Sequence, residues 1–217
     1  MKTKFIIAAL LCALNINARA DSHTPKANIG LGYVSDFIYR GSAVSTEATQ
    51  WKLGGNVGIS GVDVFANVMY NDAFDGDDAT FITAGVSKKF ADELLDLYVG
   101  IEDRRINNNN TLDVLFVSNF NTVLSPSVVV ARNTEDSLYT YELNLRHSIE
   151  TGIGKFCIVG GIGTTDTTNS VDRDYSSVGV EYCKSIDNID VNAGVYVIDS
   201  DDLDTDTITA VSLTYKF

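Results

Sequence analysis

The stretch QWKLGGNVGISGVDVFANVMY, residues 50–70, alternates apolar and polar side chains on both sides of a Ser60-Gly61 pair. Before the pair the apolar residues fall at odd positions, from Trp51 to Ile59, and after it they fall at even positions, from Val62 onward. A period of two is typical of a β-strand with one apolar face, and a short link containing glycine is typical of a hairpin. The stretch therefore predicts two antiparallel strands joined by a tight turn.

The same alternation recurs along the rest of the chain and predicts an all-β protein. The alternating segments are residues 26–37, 50–60, 62–70, 80–90, 94–102, 111–121, 128–132, 139–150, 155–164, 175–184, 190–199 and 207–217. No amphipathic helix pattern follows residue 20. We expect about 12 strands, with 10 and 14 as the alternatives, in a single domain over residues 21–217.

The connections between these segments alternate in length. Short ones, such as Ser60-Gly61, are followed by longer and mostly acidic ones, such as NDAFDGDDA at residues 71–79. Short turns at one end and long loops at the other are typical of outer-membrane barrels, whose short turns face the periplasm. The pattern predicts a transmembrane antiparallel up-and-down β-barrel with periplasmic N- and C-termini. A secreted soluble β-sandwich is the alternative fold.

The first twenty residues, MKTKFIIAALLCALNINARA, combine two lysines, an apolar run at residues 5–14 and an Ala-Arg-Ala ending. These features predict a secretory signal peptide, residues 1–20, cleaved before Asp21. Its removal takes away three basic residues and changes the net charge from −13 to about −16. Such acidity argues against nucleic acid as a partner. The predicted location is the outer membrane of a Gram-negative bacterium.

The chain ends in VSLTYKF, residues 211–217, with Tyr215 two positions before the terminal Phe217. Outer-membrane barrels resemble one another in ending on such a strand, which the barrel-assembly machinery recognises. Tyr215 and Phe217 are therefore the predicted assembly signal. The expected partners are this machinery, outer-membrane lipid and lipopolysaccharide, and small solutes or ions.

The polar faces of the segments carry mostly Gly, Asn, Ser and Thr with few charges, a mixture that suits a water-filled lumen. The charged residues predicted to line that lumen and to set ion selectivity are Asp36, Arg40, Lys52, Asp63, Asp96, Glu102, Asp113, Glu142, Arg146 and Glu181. The apolar faces are predicted to contact lipid. The aromatic residues expected on those faces near the membrane interfaces are Tyr33, Phe37, Tyr39, Tyr70, Phe90, Tyr139, Tyr141 and Tyr215.

Two cysteines remain after position 20, Cys157 and Cys183, and they are equidistant in sequence from Ser170. Antiparallel pairing about that position would place them opposite each other on the lumen face, and export supplies an oxidising compartment. We expect a cross-strand disulfide near the periplasmic rim. The alternative is two unpaired cysteines, because directly opposed strand positions often have poor disulfide geometry.

Catalytic and metal sites have little support in the sequence. The two histidines, His23 and His147, have no Ser or Asp constellation on their own faces, so no enzyme activity is predicted. The acidic segments 71–79 and 199–206 lack the spacing of an EF-hand, which favours solvated carboxylates over a calcium site. Loose association of divalent ions with these segments is the alternative. No metal ligand set and no cofactor are predicted.

The segment SDFIYRG, residues 35–41, is followed by a polar stretch and then by WKLGGNVGI, residues 51–59. This order resembles the N-terminal motif of the TorF family of outer-membrane porins. The matching positions are Ser35, Asp36, Phe37, Arg40, Gly41, Gly54 and Gly55. The resemblance covers roughly forty of the 217 residues, and the following DVFANVMYND lacks the family's Gly- and Trp-rich third strand. It implies a barrel with channel activity.

The predicted function is a porin-like channel for passive diffusion of small solutes. The acidic surface and lumen favour cations over anions, because they concentrate positive solutes at the mouth. The alternative is a closed structural or receptor barrel whose acidic extracellular loops bind a partner. An outer-membrane enzyme is a distant third hypothesis.

Overall fold

The computed structural model describes residues 25–107, 109–166 and 172–217, so the predicted signal peptide, Cys12 and His23 lie outside the described residues. The strands are β1 (Lys26–Tyr39), β2 (Ser42–Ile59), β3 (Val62–Gly76), β4 (Ala79–Phe90), β5 (Leu95–Ile106), β6 (Asn109–Phe120), β7 (Ser127–Asn133), β8 (Tyr139–Thr151), β9 (Gly154–Thr165), β10 (Arg173–Ile186), β11 (Ile189–Ser200) and β12 (Leu203–Lys216). In the described ranges, no helix has the length and hydropathy needed to cross a membrane.

Each strand pairs antiparallel with its neighbours in sequence, and β1 pairs with β12 to close the ring. The closing register runs from Asn28 opposite Lys216 to Val34 opposite Ala210. Closure pairs the backbone donors and acceptors of the first and last strands, each of which would cost several kcal/mol if left unpaired in hydrocarbon. The structure confirms the predicted fold of a twelve-stranded antiparallel β-barrel.

The outer surface of the barrel is a continuous apolar belt. Its exposed side chains include Ile29, Leu31, Leu53, Val64, Val99, Ile101, Val114, Phe116, Leu143, Leu145, Ile158, Ile162, Val178, Val180, Val195, Val211 and Leu213. Tyr33, Phe90, Tyr139, Tyr141 and Tyr215 are exposed among them. A surface of this size and hydrophobicity fits the hydrocarbon of a bilayer and not bulk water.

Several connections are shorter than the sequence predicted, because the strands continue through the acidic segments. The strand β2 begins at Ser42 and not at Gln50, and β3 continues to Gly76. Residues 40–41, 77–78 and 201–202 are therefore turns of two residues each. The expected division into short turns and long loops was wrong for these connections, although the barrel it indicated is present. The acidic residues of these segments lie partly on strand extensions and partly in the turns, at the end of the barrel that holds Tyr39 and Leu203, called here the far end.

The interior is more apolar than the alternation predicted, because three clusters of buried side chains project into it. The first contains Val34, Phe37, Tyr39, Ala48, Met69, Tyr70, Ala79 and Phe81. The second contains Phe65, Tyr98, Leu115, Val117, Val129 and Ala131. The third contains Ile38, Tyr196, Ile198 and Ile208. A ring of twelve strands is narrow enough for side chains from separate strands to meet, so part of the lumen is filled.

Near the far end, β1 and β2 change the face that they turn to the lumen. Val34 and Phe37 are both buried although they are three residues apart, and the same holds for Ser45 and Ala48 on the partner strand. The register of the two strands skips the Ser35–Glu47 pair, Glu47 has a φ of +45°, and a shift in register follows between Phe37 and Ile38. An irregularity of this kind shifts the inward face by one residue.

This change of face makes the predicted lipid contact of Phe37 and Tyr39 wrong. Their rings pack against Phe81 inside the barrel, with centroids 5.7 and 5.1 Å away respectively. Tyr70, also predicted to contact lipid, is buried in the first apolar cluster, and its hydroxyl donates to Asp78 in the β3–β4 turn at 2.9 Å. Asp36, predicted to line the lumen, is half-exposed and pairs with the exposed Thr46.

The apolar belt can be tested with two arginine substitutions on one face of β10. Val180 and Ile186 are 55% and 51% exposed, but Val180 lies at the middle of the strand and Ile186 at its end. We expect Val180→Arg to reduce the free energy of unfolding by about 2–4 kcal/mol, and Ile186→Arg by about 0–1 kcal/mol, because the cost of a charge depends on membrane depth. Urea unfolding in lipid vesicles, followed by the fluorescence of Trp51, measures both. Equal costs at the two positions would contradict a membrane-spanning belt.

Candidate functional site in the lumen

The tip between β1 and β2, defined as Tyr39, Arg40 and Gly41, turns into the barrel. Arg40 and Gly41 have φ of +49° and +76°, the combination of a tight hairpin turn. A side chain at position 41 would approach Tyr175 and Ser200 to 2.9 Å, so the position requires glycine on both counts. The long connection implied between the predicted segments 26–37 and 50–60 is wrong, because β2 starts at Ser42.

The β1–β2 tip contacts opposite walls of the barrel. On one side Arg40 reaches Asp113 of β6, and Tyr39 reaches Glu102 of β5. On the other side Ser200 of β11 donates a hydrogen bond to the Gly41 carbonyl oxygen at 2.7 Å. The strands β5 and β11 are six places apart in a ring of twelve, so the tip extends across the lumen.

The charges around the tip form a buried group called here the Arg40 cluster: Tyr39, Arg40, Glu102, Arg104 and Asp113. Arg40 lies 2.5 Å from the Asp113 carboxylate and 3.8 Å from that of Glu102, and both carboxylates are fully buried. Arg104 lies 3.7 Å from Asp113. The Tyr39 hydroxyl donates to Glu102 at 2.6 Å. The cluster contains two guanidinium groups and two carboxylates, so its formal charges cancel.

The Tyr39 ring joins the two arginines of this cluster. The guanidinium carbons of Arg40 and Arg104 each lie 4.8 Å from its centroid, within the range of a cation–π interaction. The ring therefore holds like charges apart while its hydroxyl binds a carboxylate. One oxygen each of Glu102 and Asp113 is buried without a hydrogen-bond partner among the described residues, so the cluster is not fully satisfied.

Glu142 extends this polar region toward β10. Its carboxylate accepts a hydrogen bond of 2.7 Å from the Tyr175 hydroxyl, and Tyr175 also lies beside Gly41. The Arg40 cluster and Glu142 together contain three carboxylates and two guanidinium groups. The region around the tip therefore carries a small excess of negative charge.

A cavity of about 860 Å³, called here the vestibule, occupies the barrel end that holds Lys26 and Lys216. Exposed residues such as Ile153 and Phe217 line its mouth, while Phe65 and Tyr196 of the apolar clusters bound it farther in. Its polar lining includes Asn28, Gln50, Lys52, Asn56, Asn67, Asn192, Ser212 and Thr214. The barrel is therefore hollow and polar at this end, and narrowed by apolar side chains and the tip toward the other.

The vestibule is lined by more basic than acidic residues, although the chain as a whole is acidic. The basic residues are Lys26, Lys52, Arg146, Lys155, Lys184 and Lys216, and the acidic ones are Glu150, Glu181 and Asp190. Arg146 pairs with Glu181 at 2.5 Å and Lys216 pairs with Asp190 at 2.5 Å. The two members of the first pair, both predicted lumen residues, are brought together on β8 and β10.

Two other predicted lumen residues, Asp63 and Asp96, lie apart from both regions. Asp63 is at the start of β3 and Asp96 is at the start of β5. Each has one carboxylate oxygen buried without a hydrogen-bond partner among the described residues. Neither contributes to the vestibule lining or to the Arg40 cluster.

The predicted disulfide is contradicted by the structure, in which Cys157 and Cys183 are both free. The register of β9 and β10 pairs Cys157 with Glu181, and pairs Cys183 with Lys155. The hairpin is therefore centred one residue earlier than equal spacing about Ser170 implied. A shift of one residue in the centre moves each cross-strand partner by two positions.

Three residues of the site were missed: Tyr39, Arg104 and Tyr175. Arg104 shares the face of Glu102 on β5, and Tyr175 shares the face of Glu181 on β10, so strand alternation could have found both. Tyr39 could not be found in this way because of the change of face in β1. Of the histidines, His147 contacts the carbonyl oxygen of Val123 at 3.0 Å.

The closed ring and apolar belt make this protein a transmembrane β-barrel, and known structures share its fold. A KdgM porin has a TM-score of 0.60 and 14% identity, with 88% of this chain and 99% of that chain covered. A KdgM porin in complex with disordered oligogalacturonate has a TM-score of 0.60 and 16% identity, with the same coverage. No protein-family model and no curated protein sequence matches, so the resemblance to the TorF family stays a prediction.

The buried pairing of Arg40 can be tested by its removal. Arg40→Ala leaves the carboxylates of Glu102 and Asp113 buried without their cation, so we expect the free energy of unfolding to fall by about 3–5 kcal/mol. Arg105→Ala is the matched control, since Arg105 pairs with Asp103 on the exposed surface, and we expect a cost of about 0–1 kcal/mol. Urea unfolding in lipid vesicles measures both. Similar costs for the two variants would show that the Arg40 cluster does not brace the barrel.

Proposed function

We propose that this protein is a porin-like channel of the Gram-negative outer membrane, through which small polar solutes diffuse passively. The observation that carries the proposal is the polar vestibule of about 860 Å³ inside a closed barrel with an apolar exterior. The shared fold with the KdgM porins supports it. One of those structures contains oligogalacturonate, which supports small solutes as the transported class.

The β1–β2 tip is the proposed constriction of this channel. It crosses the lumen between β5 and β11, and it is held by side-chain contacts to Glu102, Asp113 and Ser200. Solutes would enter or leave through the vestibule and pass the tip where the Arg40 cluster borders it. The side chains of the tip therefore set the size of the pathway.

The orientation and assembly of the barrel are also proposals. We place both chain ends in the periplasm and the acidic far end at the cell surface, among lipopolysaccharide. Residues 1–20 are the proposed export signal. Tyr215 and Phe217, whose rings contact each other at 4.9 Å and are exposed, are the proposed signal for the barrel-assembly machinery. No catalytic role is proposed.

A preference for cations is the finer part of the proposal. Three carboxylates and two guanidinium groups border the tip, and most charges of the far end are acidic, so cations are concentrated at the narrowest point. The basic lining of the vestibule acts in the opposite direction. The electric field of the charges at the constriction is less screened by salt than the field in the wider vestibule. We therefore expect a weak preference for cations.

The role of the tip predicts a change in conductance. Tyr39→Ala removes the ring that fills the lumen between Arg40 and Arg104, so we expect a larger single-channel conductance in planar bilayers than in the unchanged protein. Tyr33→Ala is the control, because Tyr33 is on the same strand but on the exposed outer face. Equal conductance in the unchanged protein and in Tyr39→Ala would exclude the tip as the constriction.

Two neutralising substitutions test the selectivity. Glu142→Gln removes a carboxylate beside the tip, and we expect the reversal potential in a salt gradient to move toward anion selectivity. Lys52→Gln removes a vestibule cation, and we expect a shift in the opposite direction. Glu135→Gln, on the exposed β7–β8 connection, is the control and should leave the potential unchanged. A reversal potential on the anion side in the unchanged protein would contradict the preference for cations.

A closed structural or receptor barrel is the second candidate, and the three apolar clusters favour it. Phe81, Met69 and Ile208 are almost completely buried inside the ring, and such packing resembles the filled interior of smaller barrels. In that case the acidic far end would bind a partner. Absence of conductance in both the unchanged protein and Tyr39→Ala would favour this second function over the channel.

A further inference from the structure

Three metal-ligating side chains converge on the inner wall of β9 and β10. The sulfur atoms of Cys157 and Cys183 and a carboxylate oxygen of Glu181 all lie within 4.8 Å of one another. The strand register explains this: Cys157 is directly opposite Glu181, and Cys183 is two residues farther along β10 on the same face. Cys157 and Glu181 are buried, and Cys183 is half-buried.

A cationic side chain already contacts two members of this group. The Arg146 guanidinium lies 2.5 Å from the Glu181 carboxylate, and it contacts the Cys183 sulfur at 3.7 Å. The Cys157 sulfur has a polar neighbour of its own, the Ser148 hydroxyl at 3.3 Å. The two sulfur atoms and the carboxylate thus lie next to a positively charged guanidinium group.

The geometry fits a bound metal ion better than a disulfide. The two cysteines are diagonal and not directly opposite in the sheet, and a disulfide requires sulfur atoms about 2.05 Å apart. Two ligands at about 2.3 Å from a tetrahedral ion are separated by about 3.8 Å. The three ligand atoms already lie within 4.8 Å of one another, an upper limit about 1 Å above that separation.

An ion could reach this group from solution. Arg146, Glu181 and Cys183 all line the vestibule, whose mouth is bordered by exposed residues. The soft sulfur ligands select thiophilic ions over the hard cations Mg²⁺ and Ca²⁺, which prefer oxygen ligands.

We propose that the inner wall of the barrel binds one thiophilic divalent ion, of the class of Zn²⁺ and Cd²⁺, through Cys157, Cys183 and Glu181. The fourth position faces the vestibule and is filled by water. Binding releases the two thiol protons to solution and displaces the Arg146 guanidinium from Glu181. The proposal is independent of channel activity, because it concerns ligands on one wall and not passage through the lumen.

Cadmium titration tests the site directly. The full chain folded under reducing conditions in detergent micelles, with Cys12→Ser so that only Cys157 and Cys183 carry thiols, should bind one Cd²⁺ and show a sulfur-to-cadmium charge-transfer absorbance. Addition of either Cys157→Ser or Cys183→Ser should abolish the one-to-one complex. Glu181→Gln should weaken binding by about tenfold or more. Arg146→Gln should lower the Kd, because the competing cation is gone.

A second measurement requires no change in the site. Cd²⁺ should protect both thiols of the folded Cys12→Ser protein from maleimide, while Mg²⁺ should not. Several outcomes overturn the proposal: no charge-transfer absorbance when two free thiols are present, the same affinity in either single-cysteine variant, or no weakening in Glu181→Gln. A disulfide between Cys157 and Cys183 also overturns the proposal, if it forms in protein folded without reductant and forms again after mild reduction although cadmium is present.

Discussion

Backbone N–H and C=O groups find no water in hydrocarbon, so a sheet that crosses a bilayer can leave no open edge. This chain meets the constraint by pairing β1 with β12 over the register from Asn28–Lys216 to Val34–Ala210. Closure at twelve strands then sets the remaining features. Outward side chains must be apolar along every strand, and the diameter of the lumen is confined to a narrow range. That limited interior is divided into a filled part and an open part.

The interior is divided by polarity along the barrel axis. At the far end, the β1–β2 tip and the first apolar cluster occupy the space, and the charges there are buried in pairs around Arg40. At the other end the wall is lined by amides, hydroxyls and paired charges, and the space stays open as the vestibule. A narrow lumen buries the charged side chains that point into it, and a buried charge without a partner is costly. Pairs such as Arg40–Asp113 and Arg146–Glu181 avoid that cost.

Strand alternation was sufficient to predict the class of fold, the number of strands and the inward face of most of them. On β8 and β10, which are regular, it placed Glu142, Arg146 and Glu181 on one face, and in the structure Arg146 pairs with Glu181 while Glu142 binds Tyr175. It failed at Phe37 and Tyr39, since an irregularity in pairing has no signal in the pattern of apolar residues. It also failed for Cys157 and Cys183, because cross-strand partners depend on the centre of the hairpin, which spacing alone does not define.

The change of face between Val34 and Phe37 separates the two ends of one hairpin into different roles. Toward Lys26 the hairpin forms only the wall of the barrel, and toward Gly41 its inward side chains and its tip also enter the lumen. Regular pairing through Ser35 and Glu47, on both strands of the hairpin, would restore the alternation and turn the hairpin end outward, while the other ten strands kept their pairing. The bore of such a barrel could therefore be altered in evolution, or by protein engineering, through a local change in one hairpin instead of a change in strand number.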